Sequence, residues 1–276
     1  MRVLHSQVTL DLAHGGPAHT VPALCDALAQ AGIEVDLVST PGEDPVWTPE
    51  RTKGWRIHWA ADRSASSLAQ CLCRTAEAAR PDLVHTHGAW VPSHISSTRW
   101  AIKNGFPLVL SPRGNLQPWA LRNNRLKKRL AMWLYQRRIL EQASMFHAAS
   151  ETEVQSIRTL GLRQPILLAR NGADFPELLP KHPRSAPTVL FLSRIHPSKG
   201  LPLLLRAWAA LRPSAWRLVI AGPDECDHIL ELQTLAQKLG LHWISHPGLS
   251  GLDETATGGI IYIGPLDRRE KWNAYA

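Results

Sequence analysis

Residues 188–200 read Thr188-Val189-Leu190-Phe191-Leu192-Ser193-Arg194-Ile195-His196-Pro197-Ser198-Lys199-Gly200, and a helical pattern continues to Leu211. The apolar run predicts a strand, and the polar residues after it predict a turn into the helix. Such a turn holds phosphate in α/β proteins, because the helix N–H groups point back at it. Arg194 and Lys199 add two positive charges there. The stretch predicts an α/β protein with an anion site, for which a nucleotide diphosphate is the expected ligand. A solvated turn with two surface cations is the alternative.

The same alternation of strand and helix begins at the N-terminus. Residues 2–10 predict a strand, Gly15 and Gly16 form a turn where a ligand can approach the backbone closely, and a helix extends to Gln30. A second strand follows at residues 33–39. Strand, helix and strand in this order form the unit of a parallel sheet.

A proline-rich stretch separates two halves of the chain, and each half repeats this unit. We therefore predict two Rossmann-like domains with parallel sheets, residues 1–175 and 187–276, joined by a linker at 176–186. The length of 276 residues is sufficient for two ordinary domains.

Hydropathy and cysteine usage narrow the protein class. No stretch approaches 18 apolar residues, and the N-terminus lacks the apolar core of a secretory signal, so we expect a cytoplasmic protein. The four cysteines include no Cys-x-x-Cys pair. We expect them to be reduced and structural, and we expect no bound metal.

The positive charge is concentrated in one segment. The net charge is +8, and eight basic residues with no acidic one lie between Arg113 and Leu140. Residues 113–138 therefore suit an anionic membrane surface, which would place the protein on the inner face of the membrane, or a phosphorylated substrate. We expect no nucleic acid as a partner. The helix predicted at 125–142 has two apolar faces, so docking within the protein is the alternative to membrane contact.

Two turns in the first half carry further candidate residues. His87 in His85-Thr86-His87-Gly88 follows a predicted strand, where an imidazole can reach a ligand in the crevice outside the sheet. The turn Arg113-Gly114-Asn115 follows the next strand. For each, the alternative is an ordinary polar loop residue.

These motifs together resemble those of the family 4 (group 1) retaining glycosyltransferases. Arg194-x-x-x-x-Lys199-Gly200 is similar to the donor-phosphate motif of that family, and His85-x-His87-Gly88 and Asn171-Gly172-x-Asp174 are similar to two of its first-domain motifs. The resemblance implies the GT-B fold and three groups of site residues. They are a catalytic residue, His87; donor-binding residues Gly15, Gly16, Arg194, Lys199 and Gly222; and acceptor-side residues Arg113, Gly114 and Asn115.

The resemblance also implies an activity. Enzymes of this family move a sugar from a nucleotide-sugar to an acceptor with retention, and bacterial relatives commonly build surface polysaccharide. We therefore expect a nucleotide-sugar donor, a glycan or lipid-linked acceptor, and no cofactor. The sequence contains no Asp-x-Asp metal motif, so cationic side chains are expected to offset the charge of the leaving diphosphate.

The chain departs from the family pattern near its end. The family has a loop with two glutamates separated by seven residues, and no such pair occurs in this sequence. We therefore expect an incomplete second domain in a truncated copy of the family fold. Two rivals stay open: a catalytically inactive copy that binds nucleotide or membrane, and a sugar-nucleotide epimerase of the same two-domain shape.

Overall fold

The computed structural model describes residues 1–11, 15–43, 45, 47–172, 186–225, 227–246, 248–249 and 257–275. Internal contacts divide the chain into two compact units, Met1–Ala173 and Asp174–Ala276. Almost all of the expected linker, 176–186, lies outside the described residues. Its boundaries and those of the two domains stay predictions.

The first unit alternates strands with helices. Its strands are β1 (Arg2–Thr9), β2 (Glu34–Thr40), β3 (Arg56–Trp59), β4 (Leu83–His87), β5 (Leu108–Ser111), β6 (Met145–Ala148) and β7 (Ile166–Leu168). Its helices are α1 (Gly16–Gln30), α2 (Ala65–Ala78), α3 (Pro92–Lys103), α4 (Pro118–Arg122), α5 (Arg125–Ala131), α6 (Arg137–Glu141) and α7 (Glu151–Thr159). The short α4 has no counterpart in the sequence-based prediction.

The seven strands form one parallel sheet in the order β3-β2-β1-β4-β5-β6-β7. The direction of the chain across the sheet reverses between β1 and β4. Ligands of open α/β sheets bind at such a reversal, outside the carboxyl ends of the strands. This topology brings the ends of β1, β4 and β5, with their candidate turns, to one edge of the sheet.

Helices cover both faces of the first sheet. Leu37 and Val38 are neighbours on β2 and both are fully buried, yet they belong to separate core clusters. Leu37 lies in one cluster with Val21 and Cys25 of α1, and Val38 lies in the other with Leu68 of α2. Successive side chains of a strand point to opposite faces, so both faces are buried. Each such side chain contributes about 1.5–3 kcal/mol.

The second unit repeats this architecture with fewer strands in its described part. Its strands are β8 (Thr188–Leu192), β9 (Arg217–Ala221), β10 (Trp243–Ser245) and β11 (Ile260–Tyr262), and its helices are α8 (Leu201–Leu211), α9 (His228–Lys238) and α10 (Arg268–Tyr275). The strands are parallel, in the order β10-β11-β9-β8. Leu218 packs with residues of α8 and α9, whereas the adjacent Val219 packs with Ala274 of α10. The prediction of two parallel-sheet α/β units is confirmed.

The basic segment forms one continuous helix with a widened turn. Residues 132–136 are a π turn between α5 and α6, and we call residues 125–141 the basic helix. The expectation that it docks through its apolar faces holds for Ile139 and Leu140, which are buried, but Leu126 and Trp133 are exposed. No helix in the described ranges is both long and apolar enough to cross a bilayer.

Candidate functional site

Five polar side chains form a buried row across the first sheet. They are His5 on β1, His85 and His87 on β4, Ser111 on β5 and His147 on β6, and none is more than 7% exposed. His5 lies opposite His85 in the strand register, and His87 lies opposite Ser111, so their side chains share one face. We call these five residues the histidine row.

One branch of the row ends at a backbone carbonyl. The Ala169 carbonyl oxygen can only accept a hydrogen bond, so Nε2 of His147 carries the proton that it shares over 3.0 Å. Nδ1 of His147 therefore accepts from the Ser111 hydroxyl at 2.8 Å, and Ser111 Oγ accepts from Nε2 of His85 at 2.7 Å. The tautomers of His147 and His85 follow from this single carbonyl.

The other branch begins at a guanidinium. Nε and Nη2 of Arg113 lie 3.4 and 3.3 Å from Nδ1 of His87, and a guanidinium can only donate. Nδ1 of His87 is therefore an acceptor, and its Nε2 donates to Nδ1 of His5 at 3.0 Å. The proton of His5 then sits on Nε2, a buried atom without a hydrogen-bond partner among the described residues.

Burial keeps the four imidazoles of the row neutral. It lowers the pKa of His5 to about 3 and holds the pKa values of His85 and His87 well below the ordinary range, with nearby Arg113 and the neighbouring imidazoles acting in the same direction. The pKa of His147 is also lowered, again mainly by burial. The row is a neutral donor and acceptor system.

We expect the first unit to lose stability in mild acid. The unfolded chain takes up protons on these histidines below about pH 6.5, whereas the native row resists protonation until far lower pH. Each histidine should therefore lower the free energy of unfolding by up to about 1.4 kcal/mol for every pH unit below about 6.5. Urea unfolding at pH 7.5, 6.5 and 5.5 measures this slope.

A histidine variant tests the origin of that slope. His5→Gln should flatten it, whereas His242→Gln, in which an exposed imidazole of the second unit is replaced, should not. Asp36 does not contribute to the slope of stability with pH in this range. Burial raises the pKa of this carboxyl, but hydrogen bonds and charge from His58 and Arg56 outweigh burial and bring it to about 2. An equal slope in the parent and His5→Gln would contradict the assignment.

Glu153 connects the turn at residues 113–115 to the start of α7. Its buried carboxylate accepts the N–H of Gly114 at 2.7 Å and that of Ala149 at 2.8 Å. The hydroxyl of Ser150 accepts the N–H of Glu153 at 3.2 Å and caps α7. The carboxylate therefore fixes the position of the Gly114 backbone.

Arg113 is held from two sides. Its Nη1 donates to Oδ1 of Asn171 at 2.8 Å, while Nε and Nη2 face His87. Its φ of 52° places it in the left-handed region, next to Gly114 at 79°. The side chain of Asn115 donates to the Arg113 carbonyl at 3.3 Å. The structure thus brings together His87, Arg113, Gly114 and Asn115.

Three imidazoles of the row are close enough to be considered as metal ligands. His5, His85 and His87 each place a ligand atom within 4.8 Å of the other two. Both ring nitrogens of His87 already make hydrogen bonds, and the Arg113 guanidinium beside them repels a cation. We therefore assign these residues to hydrogen bonding, and a metal-free reaction stays a prediction.

Gly15 and Gly16 lie where the sequence predicted a turn. Gly15 precedes α1 with φ 67° and ψ −140°, a conformation open mainly to glycine, and Gly16 is the first helical residue. No atom of the described residues lies within 4 Å of a Cβ built on Gly16, and the residue is exposed. The backbone of Gly16 is therefore accessible to a ligand.

Arg194 in the second unit is already paired. Its Nη1 lies 2.8 and 2.9 Å from the two carboxylate oxygens of Glu225, a residue that follows β9. The backbone joins the same two segments, because the N–H of Glu225 donates to the Ile195 carbonyl at 3.0 Å. An anion at this turn would compete with Glu225 for the guanidinium.

Lys199 is the more available cation of the turn. It is exposed and makes no ion pair with the described residues. Gly200 has φ 75°, and α8 begins directly after it at Leu201. The N–H groups of Leu203 and Leu204 bond to the Gly200 carbonyl, and Pro202 has none. Cationic side chains are thus more prominent donors here than helix amides.

Gly222 is buried between the carboxyl ends of β8 and β9. Its N–H donates to the Gly264 carbonyl at 2.8 Å, and its own carbonyl accepts from the Tyr262 hydroxyl at 3.0 Å. A Cβ on this residue would lie 1.7 Å from the Ser193 carbonyl oxygen. Gly222 therefore permits the close approach of β9 to the turn before Arg194, and its direct contact with a donor stays a prediction.

Sequence reasoning missed five residues of these two sites: His5, Ser111, His147, Glu153 and Glu225. His5 could have been predicted from the sequence, because an imidazole in an otherwise buried strand needs a polar partner. Glu225 could also have been predicted, because an acidic residue after one parallel strand can meet a cation after its neighbour.

Comparisons with solved structures show the fold. Sucrose-phosphate synthase from Thermosynechococcus elongatus matches with a TM-score of 0.72 and 17% identity, over 100% of this chain and 73% of that one. HepE from Anabaena in complex with UDP-glucose matches with a TM-score of 0.63 and 17% identity, over 97% and 70%. A putative UDP-N-acetylglucosamine 2-epimerase from Listeria monocytogenes matches with a TM-score of 0.58 and 16% identity, over 99% and 71%.

Comparison with family models shows the family of the chain as well as its fold. No curated protein sequence matches this chain. The family model described as a glycosyl transferase 4-like domain matches residues 15–172, which is more than half of the 276 residues. The chain therefore belongs to the glycosyl transferase 4-like family, and its two parallel-sheet units are those of the GT-B fold.

Proposed function

We propose that the protein transfers a sugar from a nucleotide-sugar donor to a glycan or lipid-linked acceptor with retention of configuration. The observation that carries this proposal is the exposed Lys199 on the same strand-to-helix turn as Arg194, in a chain that belongs to a glycosyltransferase family. A neighbour of the same fold was crystallised with UDP-glucose, which supports a nucleotide-sugar as the donor.

The proposed chemistry centres on the leaving diphosphate. Breaking the glycosidic bond increases its negative charge, and cations fixed in advance stabilise that transition state more than the bound donor. Lys199 supplies a mobile ammonium, and Arg194 supplies a guanidinium once the diphosphate displaces Glu225. Gly222 maintains the spacing of the two strand ends around this turn.

The first unit supplies the proposed acceptor side. Arg113 is positioned by His87 and Asn171, and the Gly114 backbone is positioned by Glu153. In this arrangement His87 acts through Arg113. A direct contact of His87 with the donor, as the family resemblance implies, requires one of its two hydrogen bonds to open.

We further propose a place for this reaction. The protein works in the cytoplasm, in bacterial surface polysaccharide synthesis, and residues 113–138 meet the anionic inner face of the membrane. The exposed apolar side chains of the basic helix support membrane contact, because docking within the first unit leaves them uncovered.

A panel of nucleotide-sugars tests the proposed reaction. We expect one donor to release its nucleotide in the presence of an acceptor, and proton NMR of the product to show the anomeric configuration of the donor. EDTA should leave the rate unchanged, because Arg194 and Lys199 supply the positive charge that a divalent ion supplies elsewhere. Loss of activity in EDTA, restored by a divalent ion, would contradict the metal-free mechanism.

The same panel separates the rival functions. Formation of an epimer of the donor sugar without any acceptor would favour a sugar-nucleotide epimerase. Tight binding of nucleotide with no turnover of any donor would favour a binding protein. Either result would replace the proposed transfer.

A further inference from the structure

A pocket between α3 and the basic helix has no part in the proposed transfer. It has a volume of about 290 Å³, and six of its lining residues define its character: Arg99, Lys103, Leu134, Tyr135, Arg138 and Ile139. We call it the α3 pocket. Two of these cations come from α3 and lie outside the basic segment that the sequence singled out.

The cations of the α3 pocket are not neutralised by any residue that the structure describes. Arg99, Lys103 and Arg138 are exposed and form no ion pair within the described ranges, whereas the neighbouring Arg137 is paired with Glu141. The Arg99 guanidinium carbon lies 5.5 Å from the centre of the Tyr135 ring, which keeps it at the pocket. No lining residue carries a carboxylate. The pocket therefore favours an anion.

An apolar stripe extends from this pocket along the basic helix. Leu126, Leu130, Trp133 and Leu134 follow the spacing i, i+4, i+7 and i+8, and they are 81%, 56%, 78% and 53% exposed. This spacing places them on one face of the helix. Leu134 also lines the pocket, so the apolar stripe and the anion site are continuous.

We propose that the α3 pocket binds the phosphate of an anionic phospholipid while the stripe enters the outer acyl region of the same bilayer. Cations beside an aromatic and aliphatic face are the pattern of an interfacial helix. A nucleic acid would satisfy the cations but leave the leucines in water. A second copy of the chain would bring like charges together. This inference depends on the proposed membrane contact and is independent of the sugar-transfer reaction.

Vesicle binding tests the pocket. The full chain is mixed with phosphatidylcholine vesicles with and without phosphatidylglycerol, and bound protein is separated by flotation. We expect binding only to the anionic vesicles. The variant with Arg99→Gln, Lys103→Gln and Arg138→Gln should bind them about 100-fold more weakly, since each cation near the surface contributes about fivefold.

Two comparison variants separate the pocket from general charge. Arg163→Gln, Arg206→Gln and Lys238→Gln together remove the same charge from exposed positions elsewhere, and this control should bind nearly as the parent does. Leu126→Ser with Trp133→Ser should weaken binding at both low and high salt, because the stripe contributes by apolar burial. All of the replaced side chains are exposed, so the fold should be retained.

Three results would overturn the inference. If the pocket variant and its charge-matched control weaken binding equally, only net charge matters. If the parent protein does not bind anionic vesicles, there is no membrane contact. If duplex DNA displaces the parent from vesicles at low concentration, the surface is one for nucleic acid. Calorimetric titration of each variant with UDP is expected to be unchanged, so a failure here is distinguishable from a failure of the proposed transferase.

Discussion

Replacing Lys199 by alanine is expected to lower donor turnover by about 100- to 1,000-fold, the range seen when one preorganised donor to a developing charge is lost. Lys199 is exposed at the turn before α8 and makes no ion pair with the described residues, so its ammonium is available to a bound diphosphate. Affinity for UDP should fall by about tenfold or more. Initial rates at saturating and limiting donor, together with calorimetry, measure the two effects.

Lys238→Ala is the matched control for this change. Lys238 is also an exposed lysine of the second unit, but it lies at the end of α9. Its removal should leave both turnover and UDP affinity near the parent values. If Lys199→Ala and Lys238→Ala behave alike, Lys199 has no role in holding the diphosphate.

Gly222→Ala is expected to destabilise the second unit by about 3–5 kcal/mol. The new Cβ would lie 1.7 Å from the Ser193 carbonyl oxygen, and φ at this residue is 146°, where L side chains are strained. Relief of the clash requires the ends of β8 and β9 to separate, which also moves Arg194 away from Glu225. Urea unfolding and UDP titration should therefore both register the substitution.

Gly240→Ala separates the clash from general backbone strain. Gly240 also has a positive φ, 65°, but none of the atoms that the structure describes lies within 4 Å of a Cβ placed there. The Gly240→Ala substitution should lower the free energy of unfolding by only about 1–2 kcal/mol and leave UDP binding intact. A Gly222→Ala variant as stable as Gly240→Ala would show that β8 and β9 do not approach as closely as described.

Local patterns predicted the elements but not their long-range partners. The strand at 188–192, the turn and the helix that follows it could be predicted from an apolar run, a polar break and helical spacing. The pairing of Arg194 with Glu225 could not, since it depends on β8 and β9 being neighbours. His5 was missed for the same reason. His5 belongs to the histidine row only because it lies opposite His85, and His85 is on a strand that is distant in sequence.

Exposure was the least predictable property. The helical wheel of residues 125–142 has two apolar arcs, and nothing local says which arc is buried. Packing against the rest of the first unit buries Ile139 and Leu140 and leaves Leu126 and Trp133 in water. Arg99 and Lys103 of α3 complete the pocket beside this helix, and their position follows only from the folded chain.

The most direct test of the central claim is the response of backbone amides to UDP. The claim is that the turn at 193–200 holds a nucleotide diphosphate. In ¹⁵N-labelled protein, the account predicts that saturable shifts on addition of UDP are largest at Arg194, Ser198, Lys199 and Gly200, and that they are much reduced in Lys199→Ala. Binding of UDP that leaves the amides of this turn unshifted would contradict the account.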